Sequence, residues 1–294
     1  MNHSHCILCN SKDISELEGY ERHQLSKCQS CGFVFMSRIP SIDELHDHYK
    51  LYSYASDRTV SPLTIDSYNK LLDGMEKYRK LNTLIDVGCG KGWFLIEARK
   101  RGWKVYGTEF SDEAIRICTA AGIEMTKGDL RADAFEGLQF DVVFSSEVIE
   151  HVNNPRTQFQ QMFAILRPGG LLYLTTPNFN CYLRFKFKAD YNIIEYPEHL
   201  GYFTKSTLNF ALKATGFVKR KLLTTGISLD RASYSKNAGT SAAVVPVKLI
   251  PRDESIRATM SKNRMMLLIK SMANFFLSVT GIGITLKASY QKPL

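Results

Sequence analysis

The chain has 294 residues, 44% of them hydrophobic and 23% charged, which is enough for one α/β domain with a smaller attachment and too apolar for a disordered chain. Its start, MNHSHC, has no basic or apolar signal segment, and its most apolar window, 265–279, is broken by Lys270 and falls short of the ~20 residues that cross a bilayer. A secreted or membrane-spanning protein is therefore not expected, and a cytoplasmic one is.

The net charge of +9 is unevenly placed. From Phe217 to Leu294 there are 13 Lys and Arg against 3 Asp and Glu, whereas the preceding part has 25 against 26. Such asymmetry suits an anionic partner, whether a phosphate-bearing or saccharide substrate, nucleic acid or an acidic membrane surface, or else a solvated basic face.

In chain order, Cys6-x-x-Cys9 and Cys28-x-x-Cys31 come first, 18 residues apart, a spacing that fits a four-cysteine zinc ribbon over residues 1–36. Four thiolates suit zinc, with iron a poorer tenant, and leave no open position, so the site is structural. Disulfides are the alternative, disfavoured without a secretion signal. Cys89, Cys118 and Cys181 read as core or turn residues. Residues 37–80 form a connector: Ser41 to Glu44 is a capping box opening a short helix, Glu44 to Leu51, and Tyr49, Tyr52 and Tyr54 are either a lid or linker packing. A helix around Ile65 to Lys80 with Leu71, Leu72, Met75 and Tyr78 on one face leads to the first strand of the main sheet.

Thr83 to Phe110 organises the rest. Thr83 to Val87 is a buried strand running into Gly88, Gly90 and Gly92, with Asp86 two residues ahead. A helix from Trp93 to Arg101 stopped by Gly102 follows, and then a strand, Lys104 to Thr108, ending in Glu109. A dinucleotide fingerprint needs glycine where Trp93 stands, so a pyrophosphate seat is disfavoured. D-x-G-x-G-x-G with a downstream acid resembles motif I of the class I S-adenosylmethionine-dependent methyltransferases, and the likeness runs from about Leu81 to Phe217. It implies a Rossmann-like seven-stranded α/β sheet. It also implies that the methionine part of the cofactor passes over Asp86, Gly88 and Gly90, and that Glu109, beside Phe110, binds both ribose hydroxyls.

Beyond Glu109, Ser111-Asp112-Glu113 opens a helix closed by Gly122, and Ile123 to Lys127 is a third strand. At its exit lie Asp129, which the resemblance sets facing the adenine amino group, and Leu130, which it packs on the ring. Phe140 to Ser145 is the fourth strand, and the turn Ser145-Ser146-Glu147 is where the family holds the methionine amino group. Gln158 to Leu166 reads as a helix, Arg167 to Gly170 as a turn and Leu171 to Thr176 as the fifth strand. Glu147, Glu150 and His151 form an acid and imidazole cluster. It is similar to a segment of the quinone O-methyltransferases, which hold Mg²⁺ there; hydrogen bonding at a helix start is the structural alternative.

Asn178 to Gly216 should cover the substrate. Arg184, Lys186 and Lys188 alternate with Phe185 and Phe187 as a strip suited to a phosphate or a base. Tyr196-Pro197-Glu198-His199, then Leu200 to Phe203 and a helix Ser206 to Thr215, is similar to the active-site stretch of the deoxysugar C-methyltransferases, which also begin with a four-cysteine zinc domain. That resemblance makes His199 the base, with Tyr196 beside the acceptor. The short zinc-ribbon methyltransferases of surface-polysaccharide pathways match the whole layout better. The core thus spans 81–226, with the substrate segment at 178–216. The stretch 227–294 carries a polar loop, Ser228 to Ser241, a basic amphipathic helix from about Asp253 to Val279 and the last strand, Ile284 to Gln291, antiparallel to Phe217–Thr225.

The expected activity is methyl transfer to a sugar, nucleotide-linked or part of a surface polysaccharide. Two rivals stand beside it. An RNA methyltransferase would use the basic C-terminal third, although Thr176-Pro177-Asn178 replaces the Asn/Asp-Pro-Pro-aromatic motif of many amino-group methylators. A non-catalytic scaffold would keep the fold and bind the cofactor without turnover.

Overall fold

The structure, a computed structural model, describes residues 2–41, 44, 60–237 and 264–294. The expected helix after Glu44, the tyrosines Tyr49, Tyr52 and Tyr54, and the start of the basic helix at Asp253 lie outside the described residues.

Two sheets carry the chain. Strands β1 (Ile14–Glu16), β2 (Leu25–Cys28) and β3 (Val34–Met36) form an antiparallel meander near the N-terminus. Strands β4 (Thr83–Val87), β5 (Lys104–Glu109), β6 (Glu124–Lys127), β7 (Phe140–Ser146) and β8 (Leu166–Pro177) are parallel neighbours. With β10 (Val218–Thr225) and β11 (Thr285–Gln291) they make a seven-stranded sheet in the order β10-β11-β8-β7-β4-β5-β6, antiparallel only at β11. This is the Rossmann-like methyltransferase architecture expected from the sequence. The order reverses between β4 and its neighbours β5 and β7, which puts the ligand-binding crevice beyond their carboxyl ends.

Every residue of β4 is buried, because helices cover both faces of a parallel sheet. Helix α1 (Pro62–Met75), capped by Ser61, lays Leu72 and Met75 against Leu84, Phe94 and Trp103. Helices α2 (Trp93–Lys100) and α3 (Asp112–Ala120) follow β4 and β5, and α4 (Pro155–Ile165), capped by Asn154, joins β7 to β8. A buried carboxylate fixes the entrance to β4: Asp141 Oδ2 accepts from the amides of Lys80, Leu81 and Asn82 at 2.9, 2.8 and 2.7 Å, while Oδ1 pairs with the Arg167 guanidinium. A charge with 0% exposure is tolerable because each of its oxygens is satisfied in this way.

Several expectations need correcting. Arg167 to Gly170 is not a turn but the start of β8, where the amide of Gly169 bonds the carbonyl of Lys292 and the amide of Lys292 bonds that of Gly170. The C-terminal tail thus supplies the pairing that makes this proline and glycine stretch extended. Arg184, Phe185, Lys186 and Phe187 do not form an alternating strip; they lie on a short helix α5 (Tyr182–Phe187), whose period scatters them. The expected loop from Ser228 holds helix α7 (Leu229–Asn237), with the Ser228 hydroxyl accepting from the Arg231 amide at 3.0 Å as a cap does. Helix α6 (Lys205–Ala214) is closed at its start by a Thr204–Thr207 capping box. Helix α8 (Arg264–Thr280) precedes β11.

The N-terminal meander does not stand alone. Its strand β3 pairs with β9 (Gly201–Tyr202) of the expected substrate segment, Val34 opposite Tyr202 and Phe35 opposite Gly201. Phe33 and Phe35 share a core with Phe159 and Phe203, and the Phe33 and Phe203 rings sit 4.8 Å apart.

Candidate active site

The turn after β4 is shaped by its own backbone. Gly88 has φ +72°, and a Cβ there would meet Val148 Cγ2 at 2.6 Å, so only glycine lets the chain pass. Its amide and that of Cys89 both donate to the Thr108 carbonyl, at 3.0 and 3.1 Å. Glu109 ties the turn to β5: Oε2 accepts from the Gly90 amide at 3.0 Å, and Oε1 from the amides of Phe110 and Ser111 at 2.7 and 3.2 Å. Asp86 is 4% exposed at the end of β4; burial, then Cys118 and Glu109, push its carboxyl well above the usual range. Cys89 and Cys118 flank the turn with their sulfurs 3.9 Å apart, consistent with turn and core residues.

The neighbouring strand ends add five side chains. Phe110 is 56% exposed just past Glu109, and Asp129, whose carboxyl burial pushes up, precedes the buried Leu130. Ser145 is buried in β7, and Glu147 follows with φ +55°, its amide donating to the Thr175 carbonyl at 3.0 Å and its Oε1 accepting from Thr175 Oγ1 at 2.8 Å. Asp86, Gly88, Gly90, Glu109, Phe110, Asp129, Leu130, Ser145 and Glu147 thus all fall at the carboxyl ends of β4 to β7.

Beyond them lies a second group. Glu150, His151 and His199 place their ligand-capable atoms within 4.8 Å of one another. Glu150 Oε2 accepts from Thr176 Oγ1 at 2.9 Å, whereas Oε1 is buried without a hydrogen-bond partner. Burial, and then the Glu147 carboxylate, hold the Glu150 carboxyl well above its usual range. The imidazoles meet edge to face with centroids 4.8 Å apart. His151 Nδ1 donates to the Glu198 carbonyl and His199 Nδ1 to that of Ile193, both at 2.6 Å. A carbonyl only accepts, so in each neutral ring the proton sits on Nδ1 and the basic lone pair on Nε2. His151 Nε2 is 3.8 Å from Glu150 Oε1.

Tyr196 is turned elsewhere. Its hydroxyl donates to Glu44 Oε2 at 3.2 Å and Arg38 stacks over its ring at 4.8 Å, so the structure does not bring it to His199. Arg184 is likewise engaged, stacked on Phe179 and Phe185 and donating to the Phe179 carbonyl at 3.0 Å.

Near the N-terminus all four cysteines are free thiols, with Cys6 and Cys31 sulfurs 3.7 Å apart and Cys9 and Cys28 sulfurs 3.5 Å apart. Tetrahedral zinc with Zn–S bonds of 2.3 Å would space them by about 3.8 Å, so the set has the dimensions of such a site and is far too open for disulfides.

Residues 56–222, more than half of the chain, match the family described as methyltransferase domain. The chain belongs to that family. It is a class I methyltransferase, and its cofactor is S-adenosylmethionine. Among curated relatives it is similar to the ubiquinone biosynthesis O-methyltransferases of Nitrosomonas europaea, 26% identical over 62% of this chain and 81% of the relative, and of Parvibaculum lavamentivorans, 30% identical over 43% and 50%. That of Bordetella avium, 28% identical, is also spanned over only about half its length, at 52%, and over 41% of this chain. The fold is that of a SAM-dependent methyltransferase from Archaeoglobus fulgidus, with TM-score 0.52, 16% identity and coverage of 84% of this chain and 99% of the other. Phosphoethanolamine N-methyltransferase 2 of Haemonchus contortus, solved with S-adenosyl-L-methionine, gives 0.51 and 16% over 89% and 62%.

In this methyltransferase the glycine turn and Glu109 lie together as the sequence led one to expect. The grouping of Glu150 and His151 with His199 was not read from the sequence, which set Glu150 and His151 with Glu147 and treated His199 apart. A signal existed: after the fifth strand the chain must cross the carboxyl edge and pass over the end of β7.

Proposed function

We propose that this methyltransferase carries the methyl group of S-adenosylmethionine to a hydroxyl oxygen, with His199 as base. The convergence of Glu150, His151 and His199 beyond the carboxyl edge carries this reading. In it the methionine part of the cofactor passes over Asp86, Gly88 and Gly90, Glu109 takes both ribose hydroxyls, Asp129, Leu130 and Phe110 hold the adenine, and Ser145 and Glu147 face the amino group. The sulfonium already activates the methyl carbon, so the protein's task is alignment and proton removal. The acceptor oxygen attacks the methyl carbon, the S–C electron pair returns to sulfur, and the hydroxyl proton passes to His199 Nε2. The Nδ1–H bond to the Ile193 carbonyl orients the ring for this, and the Glu150 carboxyl lies within 4.8 Å of it.

The acceptor rests on two supports. The relatives' names speak for a phenolic hydroxyl of the kind found on quinone precursors. The sugar acceptor is the narrower reading, and what favours it is the pairing of the cysteine meander with β9, two residues from His199. In that arrangement the ribbon, closed by zinc on Cys6, Cys9, Cys28 and Cys31, forms a wall of the acceptor site.

A second reading of the same cluster is a divalent cation site. Its donors, one carboxylate and two imidazoles each oriented by a carbonyl, fit a borderline metal better than Mg²⁺, and Glu147 falls outside the group. Glu150, His151 and His199 would hold the cation, which would lower the pKa of an acceptor hydroxyl. Turnover that survives chelation without loss favours the base, and turnover restored only by added metal favours the cation.

The test of the reaction is trideuteromethyl S-adenosylmethionine supplied with nucleotide sugars, with catechols and with a cell extract, with and without RNase. Label on a hydroxyl oxygen of a small acceptor is expected. Label only in RNase-sensitive material, or no turnover beside intact cofactor binding, would contradict it in favour of an RNA enzyme or a scaffold respectively.

A further inference from the structure

Helix α8 is amphipathic the wrong way round for a helix that only packs on the core. Its inner side is fastened to the protein: Asn274 Oδ1 accepts from the Gly226 amide at 3.0 Å, the Leu277 carbonyl from Thr224 Oγ1, and the Ser278 carbonyl from Lys205 Nζ at 2.9 Å. Met265, Leu268, Met272, Phe275, Phe276 and Val279 recur at helical spacing on the opposite side, each more than half exposed. Six large apolar side chains over four turns form a patch of the kind that marks an interaction surface. No helix among the described residues is long and apolar enough to cross a membrane, and the one-sided apolar face of this one suits lying along a surface.

Charge selects the surface. The helix packs against β10, whose Lys219, Arg220 and Lys221 are exposed, and its own Lys270 is exposed. The chain from Phe217 to Leu294 carries 13 basic against 3 acidic residues. A second copy docked through the same face would bring the basic region of each copy to one interface, since a two-fold interface uses the same patch on both subunits. An anionic lipid surface meets both features, apolar insertion and positive flanks.

We propose that α8 lies in the surface of an anionic lipid bilayer, with Phe275, Phe276 and their apolar neighbours inserted among the acyl chains. The arrangement brings the active site with it. The turn after the helix, Gly281 to Gly283, is held by Asn178 Nδ2 at 2.9 and 2.7 Å, and Asn178 directly follows β8 at the carboxyl edge of the sheet. A docked helix therefore holds that edge close to the lipid, where an acceptor with an apolar tail would be presented. The inference is independent of the catalytic reading, because vesicle binding is measured without methyl transfer.

The test is flotation of the full chain with phosphatidylcholine vesicles with and without phosphatidylglycerol. Binding to the phosphatidylglycerol vesicles is expected, weakened by salt and by about fivefold for each basic residue that loses its lipid contact. Phe275→Glu with Phe276→Glu should lower it roughly tenfold or more. Leu268→Ser with Met272→Ser, a milder change on the same face, should lower it less; both variants are compared at unchanged melting temperature and S-adenosylmethionine affinity. Equal binding by wild type and a folded variant, or no binding to either vesicle, would overturn the proposal. A concentration-dependent dimer abolished by the same substitutions would also overturn it and assign the face to a second copy.

Discussion

At the end of β4 the turn from Gly88 to Gly92 keeps its shape through amides: Gly88 and Cys89 on the Thr108 carbonyl, Gly90 on Glu109. A few residues beyond β7 the other half of the crevice is built from side chains that start far apart, Glu150 and His151 from one segment and His199 from another, joined by bonds such as His151 Nδ1 to the Glu198 carbonyl. The first half tolerates little change in backbone and depends on few side chains; the second depends on each of its imidazoles and carboxyls. Substitutions should therefore separate binding of the cofactor from turnover of the acceptor.

The largest separation is expected at His199. Its replacement by Asn should lower turnover by ~10²–10⁴-fold, the range a positioned base contributes, and remove the acidic limb of the pH profile. Steady-state kinetics across pH, with the acceptor found by labelling, check both. Next is Glu109→Ala, which on the proposed reading would remove two charge-assisted hydrogen bonds to ribose and should weaken cofactor affinity by about 10²-fold or more.

Zinc sharpens the comparison from a distance. Metal analysis should return one zinc per chain, and Cys28→Ser should lose it. Because β3 pairs with β9, the loss should lower acceptor turnover more than cofactor affinity, as parallel kinetics and calorimetry would register. Equal loss of both would place the ribbon's role in general stability.

Glu150→Gln tests the electrostatics of the acceptor half. Its carboxyl is held well above the ordinary value of 4.5 by burial and by Glu147. Once the pH passes 4.5 the unfolded chain loses a proton that the folded protein keeps, so this residue's contribution to stability falls as pH rises from there toward the folded value. The Gln variant should show a flatter melting curve against pH over that window and melt no lower than wild type near neutrality, even as turnover drops. The smallest effect belongs to Tyr196→Phe. It removes a bond to Glu44 and leaves the imidazoles untouched, so turnover within a few-fold of wild type is expected.

The same contrast governs what the sequence disclosed. Asp86, the three glycines and Glu109 lie within one strand, turn, helix and strand, and their spacing alone sets them at one sheet edge. Cys6 to Cys31 was equally readable, because two local knuckles needed only to meet. His151 and His199 are 48 positions apart, and nothing local in either stretch reports the other. The Arg184 to Phe187 strip misled because alternation along the sequence was taken for one basic and aromatic surface, where a helical turn and a half spreads these side chains around an axis. Helix α7 was missed although Ser228 stands three residues before Arg231 as a cap, since its polar residues outweighed that signal.

The division between the halves is tested most directly by calorimetric titration of S-adenosylmethionine into wild type, Glu109→Ala and His199→Asn side by side. The account predicts affinity unchanged within a few-fold for His199→Asn and lowered about 10²-fold or more for Glu109→Ala. Wild-type affinity in Glu109→Ala, or a loss of comparable size in His199→Asn, would contradict it.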